Sequence, residues 1–562
     1  MKSFLEKNLA CLREKDEDLF ERVSLNLGEK RDREIRIVEA KSGHPTIKVR
    51  RDFDWIYLAS SYDPRREATN KLKDFRPKGK GVIFLGLGPG YLPLSLLSSS
   101  PSSLPFFIVE ESLDIFIAAL SAVDLKALFE EVRVEFLIEP ELDQVRERIE
   151  RYNLLPSSLS VVMGYRLKDH PFYQQLSLEL ETDFVSFSKI EKPDPKILVI
   201  QLNTAGDVLR TTPVLRGLKE KYPKSKIFFL VEDVYRGILK GNPYLDKLIS
   251  LPQQYLETKA SGFLKEELQV EEFDLILNLN IFNPASARLT SLIKAGDVIG
   301  TRRDKEGQAQ FVDLSEKRAE IIQELKGYTN RAQLYLFMAG VSPTKKVPCF
   351  QVEEKDKNYI AGLLRDCGVN EEDFLVVLQP GCGWEDAVWR EKRLDEEEVA
   401  KIGDALSKEL GARIVLVGAE IEKERAGKVA GLMREEAIDL AGRTNYQQLG
   451  ALLLRADLGV FPDSFPMHLS VALSRPTIAI FGATTPALYG PVGDGFVALL
   501  ADLPCAVKGC RYGCPERKCL KMITKEVILK AYRLLKAAKT SDWEEIERLK
   551  SEIKEKGVRI FG

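Results

Sequence analysis

The sequence predicts an α/β protein built from successive Rossmann-like domains. Three observations carry this. Apolar strand-like runs (ILVIQL, KIFFLVE, DLILNLN, then FLVVLQP, RIVLVGA, LGVFPD, PTIAIFG) alternate with helical segments, which points to parallel sheets. Several of these strands run straight into glycine-bearing or polar turns: GVIFL into GLGPG, ILVIQL into NTAGD, LGVF into PDSFPMH. A proline pair, Pro193 and Pro195 in KIEKPDPKILVIQL, reads as a linker between the first series and the rest.

The 562 residues suggest three or four domains at about 150 residues each, with 44% hydrophobic and 30% charged residues to give each a core and a solvated surface. Lys+Arg number 83 and Asp+Glu 85, a formal net charge of −2, so no nucleic-acid partner is expected. The balanced load of Glu, Lys and Arg suits a hot environment. MKSFLEKNLACLREKDEDLF is charged and helical in pattern, without the apolar centre of a signal peptide, and no apolar run is long enough to span a bilayer. A cytoplasmic location follows, in which the eight cysteines stay reduced.

Within residues 1–192, a helix from Phe4 to Val23 precedes the strand-like EIRIVEAKSGHPTIKVRR, then a strand, a turn at Asp63-Pro64 and a charged helix. In GVIFLGLGPGYLPLSLL a strand enters Gly86-Leu87-Gly88-Pro89-Gly90, and FFIVEE ends a second strand at Glu110 and Glu111, where a Rossmann unit places an acid for a ribose. Pro93 replaces the third glycine of G-x-G-x-x-G. Three readings remain open: a nucleotide site, a methyltransferase site, or a tight turn that binds nothing.

Two further series follow. In residues 193–345, Asn203-Thr204-Ala205-Gly206-Asp207 is a turn before the helix VLRTTPVLRGLKEKYP; residues 346–525 repeat the alternation, and residues 526–562 are helical, with Ser541 and Glu544 as a capping box for the last helix. Two such domains suggest two lobes with a cleft between them. In Asp463-Ser464-Phe465-Pro466-Met467-His468 either Asp463 or Ser464 can cap the following helix and Pro466 suits its first turn; free N–H groups there make an anion site, and an ordinary capped turn is the alternative.

The segments AGDVLRTTPVLRGLKEKYP, LQPGCG with EKRL after it, LVGAEIEKERA and LAGRTNYQQLGALLLRADLGVFPDSFPMHLSVALSRPTIAIFGATTPALYGP stand in order between residues 196 and about 525. Together they resemble glycosyltransferase family nine, the heptosyltransferases of lipopolysaccharide synthesis. The resemblance implies a GT-B fold, acceptor lobe first and donor lobe second, with C-terminal helices returning to the first lobe. It also implies roles. Asp207, after Gly206, matches the catalytic base. Lys392 matches the lysine on the donor diphosphate, with Arg390 and Arg393 as substitutes, and Glu422 a glutamate near the donor ribose or sugar. Asp463, Ser464, Phe465 and His468 match the donor loop, and Gly381 and Cys382 join the donor-binding candidates. Relatives usually carry glycine where Phe465 stands, and the loop from Gly381 to Lys392, with Trp384 and Trp389, departs from the pattern, so the donor sugar need not be the usual heptose. His468 is one of three histidines, with His44 and His170.

EKNLACLREKD, KSGHPTIKV, SSYDPRREA, FLGLGPGYLPLSLL and IVEESLDIFIAALSAVDLKALFEEVRVEFLI resemble the N-terminal part of the motility-associated factor family, implicated in adding sugars to flagellin.

Cys505, Cys510, Cys514 and Cys519 fall within fifteen residues, a spacing that suits a structural Zn or Fe site; reduced thiols are the alternative. The expected activity is inverting sugar transfer without a catalytic cofactor, from a nucleotide sugar such as ADP-heptose to flagellin or another protein, or to a lipopolysaccharide core. A nucleotide- or partner-binding scaffold with degenerate lobes is the alternative. Peripheral membrane association and homo-oligomerisation stay open.

Overall fold

A computed structural model describes residues 2–27, 35–51, 54–77, 79–99, 104–140, 142–154, 158–164, 192–252, 272–280, 283–303, 308–312, 330–383, 392–507 and 516–562, with Cys514 and a few positions between 172 and 180. The chain forms two compact units, Met1–Ser186 and Phe187–Gly562, so the second unit holds everything expected of residues 193–562.

Unit 1 opens with two helices, Lys2–Lys15 and Glu17–Asn26, where one was expected. Asp16 divides them: it takes extended backbone and its carboxylate accepts the Leu19 N–H at 2.9 Å, capping the second helix. IRIVEAKSGHPTIKV folds back as an antiparallel pair, β1 (Ile35–Glu39) and β2 (Pro45–Arg51), and β3 (Asp54–Tyr57) joins β2. Asp63 caps the helix Pro64–Leu72.

The second sheet of unit 1 contains β4 (Gly81–Leu85), β5 (Phe106–Glu110), β6 (Val134–Ile138) and β7 (Leu159–Met163), all parallel, in the order β6-β5-β4-β7. This is a Rossmann-like order, and GLGPG is the turn after its first strand. Gly86, Gly88 and Gly90 all have positive φ (89°, 54° and 94°), which L side chains resist, and a Cβ at Gly90 would stand 2.5 Å from Leu125 Cδ2. The acid expected to meet a ribose is turned inward instead. Glu110 is 1% exposed; its Oε2 accepts the Leu87 N–H at 2.9 Å and its Oε1 accepts the Tyr173 hydroxyl at 3.0 Å. Glu110 thus pins the glycine turn to the neighbouring strand. A cavity of about 980 Å³ in this unit has Arg65, Arg76 and Tyr91 in its wall and none of the three glycines.

Unit 2 contains two larger sheets. The first orders β8 (Lys196–Ile200), β9 (Lys226–Glu232), β10 (Lys247–Leu251), β11 (Phe273–Asn278), β12 (Ala295–Arg303) and β13 (Ala309–Val312) as β10-β9-β8-β11-β12-β13, parallel except for β13. The second orders β14 (Leu375–Leu378), β15 (Arg413–Leu416), β16 (Ala437–Asp439), β17 (Leu458–Pro462), β18 (Thr477–Phe481), β19 (Phe496–Ala501) and β20 (Val558–Phe561) as β16-β15-β14-β17-β18-β19-β20, parallel except for β20. Strands β8, β11, β14, β17 and β18 are buried almost throughout, which is why they read as unbroken apolar runs.

The tail differs from expectation twice. Its last segment is β20, paired antiparallel to β19, and Tyr532 meets Phe374 edge-on at 5.9 Å, so the tail packs on the second sheet of the unit. The last helix, Trp543–Glu555, is capped by Asp542, which accepts the Glu545 N–H at 3.2 Å; Ser541 lies before it at φ 53°, so the Ser541–Glu544 capping box does not form.

Burial raises the Glu110 carboxyl to about 7, with repulsion from Glu111 adding to it. The folded state therefore holds a proton that the unfolded chain releases near its ordinary 4.5, and stability falls as pH rises from about 4.5 to 7. Calorimetric melts of the full chain from pH 5 to 8 should show unit 1 losing stability on the order of 3 kcal/mol from this group. Glu110→Gln should flatten that slope.

Candidate functional site

Three turns that follow central strands meet at one cavity of about 890 Å³: Asn203–Asp207 after β8, Gln379–Gly383 after β14, and Asp463–His468 after β17. In each sheet these strands stand where the order reverses, the place where crossovers leave in opposite directions and open a crevice.

Asp207 lies in the first turn of the helix Ala205–Lys221, with its side chain 15% exposed. Its Oδ1 accepts from Arg210 Nη2 and from the Tyr335 hydroxyl, both at 2.8 Å; Oδ2 accepts only the Thr204 hydroxyl, at 3.1 Å. Burial, and then the Asp207 charge, push the Tyr335 phenol well above its ordinary range, so it stays a donor. Gly206 leaves room for the donor side: a Cβ there would stand 3.4 Å from the His468 ring.

Across the cavity, Lys392 Nζ lies 2.8 Å from Asp463 Oδ2, with both side chains at or below 10% exposure, and the Thr484 hydroxyl donates to the same oxygen at 2.7 Å. Burial alone would raise the Asp463 carboxyl; the ammonium outweighs it and holds the group below its ordinary value. Asp463 therefore does not cap the next helix. Ser464 takes the N-cap position of Phe465–Ala472, yet no side chain caps it: the Ser464 hydroxyl donates instead to Gln379 Oε1 at 2.6 Å. Pro466 falls in the first turn. The dipole end of this helix thus faces the cavity without a side-chain acceptor of its own.

Glu422 is 2% exposed and ties two loops together. It accepts from Gln379 Nε2 at 3.2 Å, from the Gly383 N–H at 3.2 Å and from the Ala419 N–H at 2.8 Å, and burial raises its carboxyl. Gly381 is required here, since a Cβ would lie 2.1 Å from Glu422 Oε1. Cys382 lines the cavity, its thiol pushed by burial to about 12. His468 is buried, and burial, with Arg210 adding to it, lowers it to about 3, so the ring is neutral. Phe465 turns its ring edge-on against Tyr446 at 5.0 Å, and Tyr446 in turn lies 6.5 Å from Tyr235.

The structure adds residues the sequence did not single out. Gln379, Tyr335, Tyr489, Arg210 and Arg331 all line the cavity, and Thr484 donates to Asp463. For Arg210 a signal existed, since it follows Asp207 by three positions and shares its helix face. Tyr489 and Thr484 stand in the quoted GATTPALYGP, where nothing in the spacing marks them. Arg393 is buried beside the site; Arg390, Trp384 and Trp389 lie outside the described residues.

Of the cysteine cluster, Cys505 is exposed and Cys514 and Cys519 are half-buried, while Cys510 lies outside the described residues. Among the described residues no group of three His, Cys, Asp or Glu side chains comes together to hold a metal ion. His44 is half-buried, with its Nδ1 3.1 Å from the Ser42 hydroxyl, and His170 lies outside the described residues. Among the described residues no helix is long and apolar enough to cross a membrane.

Residues 262–519 match the sequence profile of glycosyltransferase family 9 (heptosyltransferase). They are a glycosyltransferase family 9 segment. The chain is 26% identical over 314 residues to lipopolysaccharide heptosyltransferase 3 of Escherichia coli (strain K12), covering 53% of this chain and 85% of that protein. It is 23% identical over 298 residues to lipopolysaccharide heptosyltransferase 1 of Campylobacter coli, covering 51% and 84%. A glycosyl transferase family 9 structure from Veillonella parvula DSM 2008 superposes with a TM-score of 0.50 at 22% identity, over 61% of this chain and 97% of that one. The fold is GT-B, and the chain is a glycosyltransferase.

If Lys392 and Asp463 are a mutually dependent buried pair, Lys392→Met should destabilise unit 2 by about 3 kcal/mol by leaving a buried carboxylate alone. Adding Asp463→Asn should restore most of that loss; denaturant titration of the wild type, both single variants and the double variant measures the coupling.

Proposed function

We propose that unit 2 is an inverting glycosyltransferase that moves a sugar, heptose by analogy with its relatives, from a nucleoside diphosphate donor such as ADP-heptose to an acceptor hydroxyl, with Asp207 as general base. The observation that carries this is the sharing of one cavity by the Asp207 carboxylate and the Lys392 ammonium at an uncapped helix start.

The chemistry divides between the lobes. On the acceptor side, Arg210 and Tyr335 occupy Oδ1, which leaves Oδ2 as the oxygen that takes the acceptor proton. As that proton leaves, the acceptor oxygen attacks the anomeric carbon from the face opposite the diphosphate. The bond from carbon to phosphate oxygen breaks, and the nucleoside diphosphate departs with the negative charge. Lys392 and the start of the helix Phe465–Ala472 offset that charge electrostatically. Both bonds change on opposite faces of the sugar, so the configuration inverts. The neutral His468 ring offers a hydrogen bond rather than a charge. Glu422 acts by holding the Gln379–Gly383 and Ala419 backbones in place, and a direct sugar contact would cost it these bonds.

The acceptor is a lipopolysaccharide core sugar or a protein. The likeness of the first 170 residues to motility-associated factor favours flagellin, which a cytoplasmic enzyme would meet before export. Phe465 is compatible with catalysis, because its ring lies against Tyr446 rather than over the Lys392–Asp463 pair. A structural Fe or Zn at the cysteines would need Cys510 and has no step in this reaction.

Asp207→Asn should lower kcat about a hundredfold or more while leaving donor affinity near wild type. The check is release of ADP from ADP-heptose, with the modified acceptor identified by mass spectrometry of flagellin and lipopolysaccharide from wild-type and deletion strains. An unchanged kcat in Asp207→Asn would remove the general base from this scheme.

A further inference from the structure

Three cations surround one aromatic ring at the junction of the lobes. Arg331 lies 5.7 Å, Lys392 5.8 Å and Arg210 6.0 Å from the centroid of Tyr489. They come from separate elements: Arg331 starts the helix Arg331–Met338, Arg210 stands in the helix Ala205–Lys221, and Lys392 belongs to the donor side. Two of the charges are balanced, Arg210 by Asp207 and Lys392 by Asp463. Arg331 has no ion pair among the described residues and adds a surplus positive charge. Cations gathered this closely repel one another, and a tyrosine face offsets only part of that repulsion.

Arg210 supplies the second observation. It is 5% exposed, its Nε donates to the Gly206 carbonyl at 3.2 Å and its Nη2 to Asp207, so the guanidinium plane is fixed. Its remaining nitrogen, Nη1, is buried without an acceptor. A buried orphan donor is costly unless a ligand satisfies it. A fixed guanidinium with a vacant N–H and a second arginine across an aromatic ring suit the spread oxygens of a phosphate.

We propose that Arg210 and Arg331, grouped around Tyr489, form an oxyanion subsite contributed by the acceptor-side lobe, which holds a phosphate-class group opposite Lys392. The inference rests on the glycosyltransferase reading of this cavity and extends it. Two sources supply such a group: the donor's diphosphate, then gripped from both lobes, or a phosphate carried by the acceptor beside the attacked hydroxyl. In either case Arg210 is a positioning residue for Asp207 as well as an anion contact.

Calorimetry of the full chain tests this with two probes, ADP and inorganic phosphate. If the donor diphosphate is the occupant, Arg331→Met weakens ADP binding about tenfold, and Arg331→Lys recovers part of it. If an acceptor phosphate is the occupant, inorganic phosphate binds on top of saturating ADP, and Arg331→Met removes that second event while ADP affinity holds. Arg210→Met should follow the same pattern, with its melting temperature as the control for folding. The subsite is overturned if both variants, folded, bind ADP and phosphate within twofold of wild type. Full transfer activity in Asp207→Asn, with ADP binding still sensitive to Arg331→Met, would sink the general base and leave the subsite standing.

Discussion

The position of the candidate site depends on a reversal of strand order in each of two largely parallel sheets. At β8/β11 and at β14/β17 the chain leaves neighbouring strands in opposite directions, so the turns at their carboxyl ends splay apart and leave room. Those turns carry Asp207, Gly381 and the Asp463–His468 segment. The apolar strands beneath them are nearly all buried, which gives the polar side chains a rigid base. Gly206 faces the opposite wall closely: a methyl in its place would stand in van der Waals contact with the His468 ring.

Within that space the polar groups are arranged as a network rather than as separate contacts. Ser464 donates to Gln379, Gln379 donates to Glu422, and Glu422 gathers the N–H groups of Gly383 and Ala419. Lys392, Asp463 and Thr484 form a second set beside it. Each buried charge has a counter-charge or several donors, the condition for keeping ionised groups in a site with little water. Glu422 is consequently a brace for two loops. Asp207 is held through Oδ1 by two donors, and its Oδ2 accepts one hydroxyl, that of Thr204.

Unit 1 uses the same first βαβ pattern for a different end. Glu110 stands where a ribose-binding acid would, but it is buried and bonded to the Leu87 N–H and to Tyr173, while Gly90 packs on Leu125. The glycines there serve backbone conformation and close packing.

Much of this was legible in the sequence. Apolar runs between glycine turns gave the strands, since a parallel strand covered on both faces has no polar side to show. The turns after β8 and β17 put Asp207, Asp463 and His468 at strand ends, because local chain chemistry fixes where a strand ends and a helix begins; the roles expected of them came from the resemblance to family nine. What no local pattern carries is pairing across the fold. Asp542, not Ser541, caps the last helix because of one backbone angle, and Asp16 splits a helix whose periodicity runs on. Arg331 and Tyr489 are 158 positions apart, and only the closing of two lobes makes them neighbours. The sequence by itself determined the strands, the turns and the acids at their ends, through short-range sterics and periodicity. Tertiary structure alone decided which charges share a cavity and which acids are buried under several donors, because burial and long-range contact are set by the whole fold.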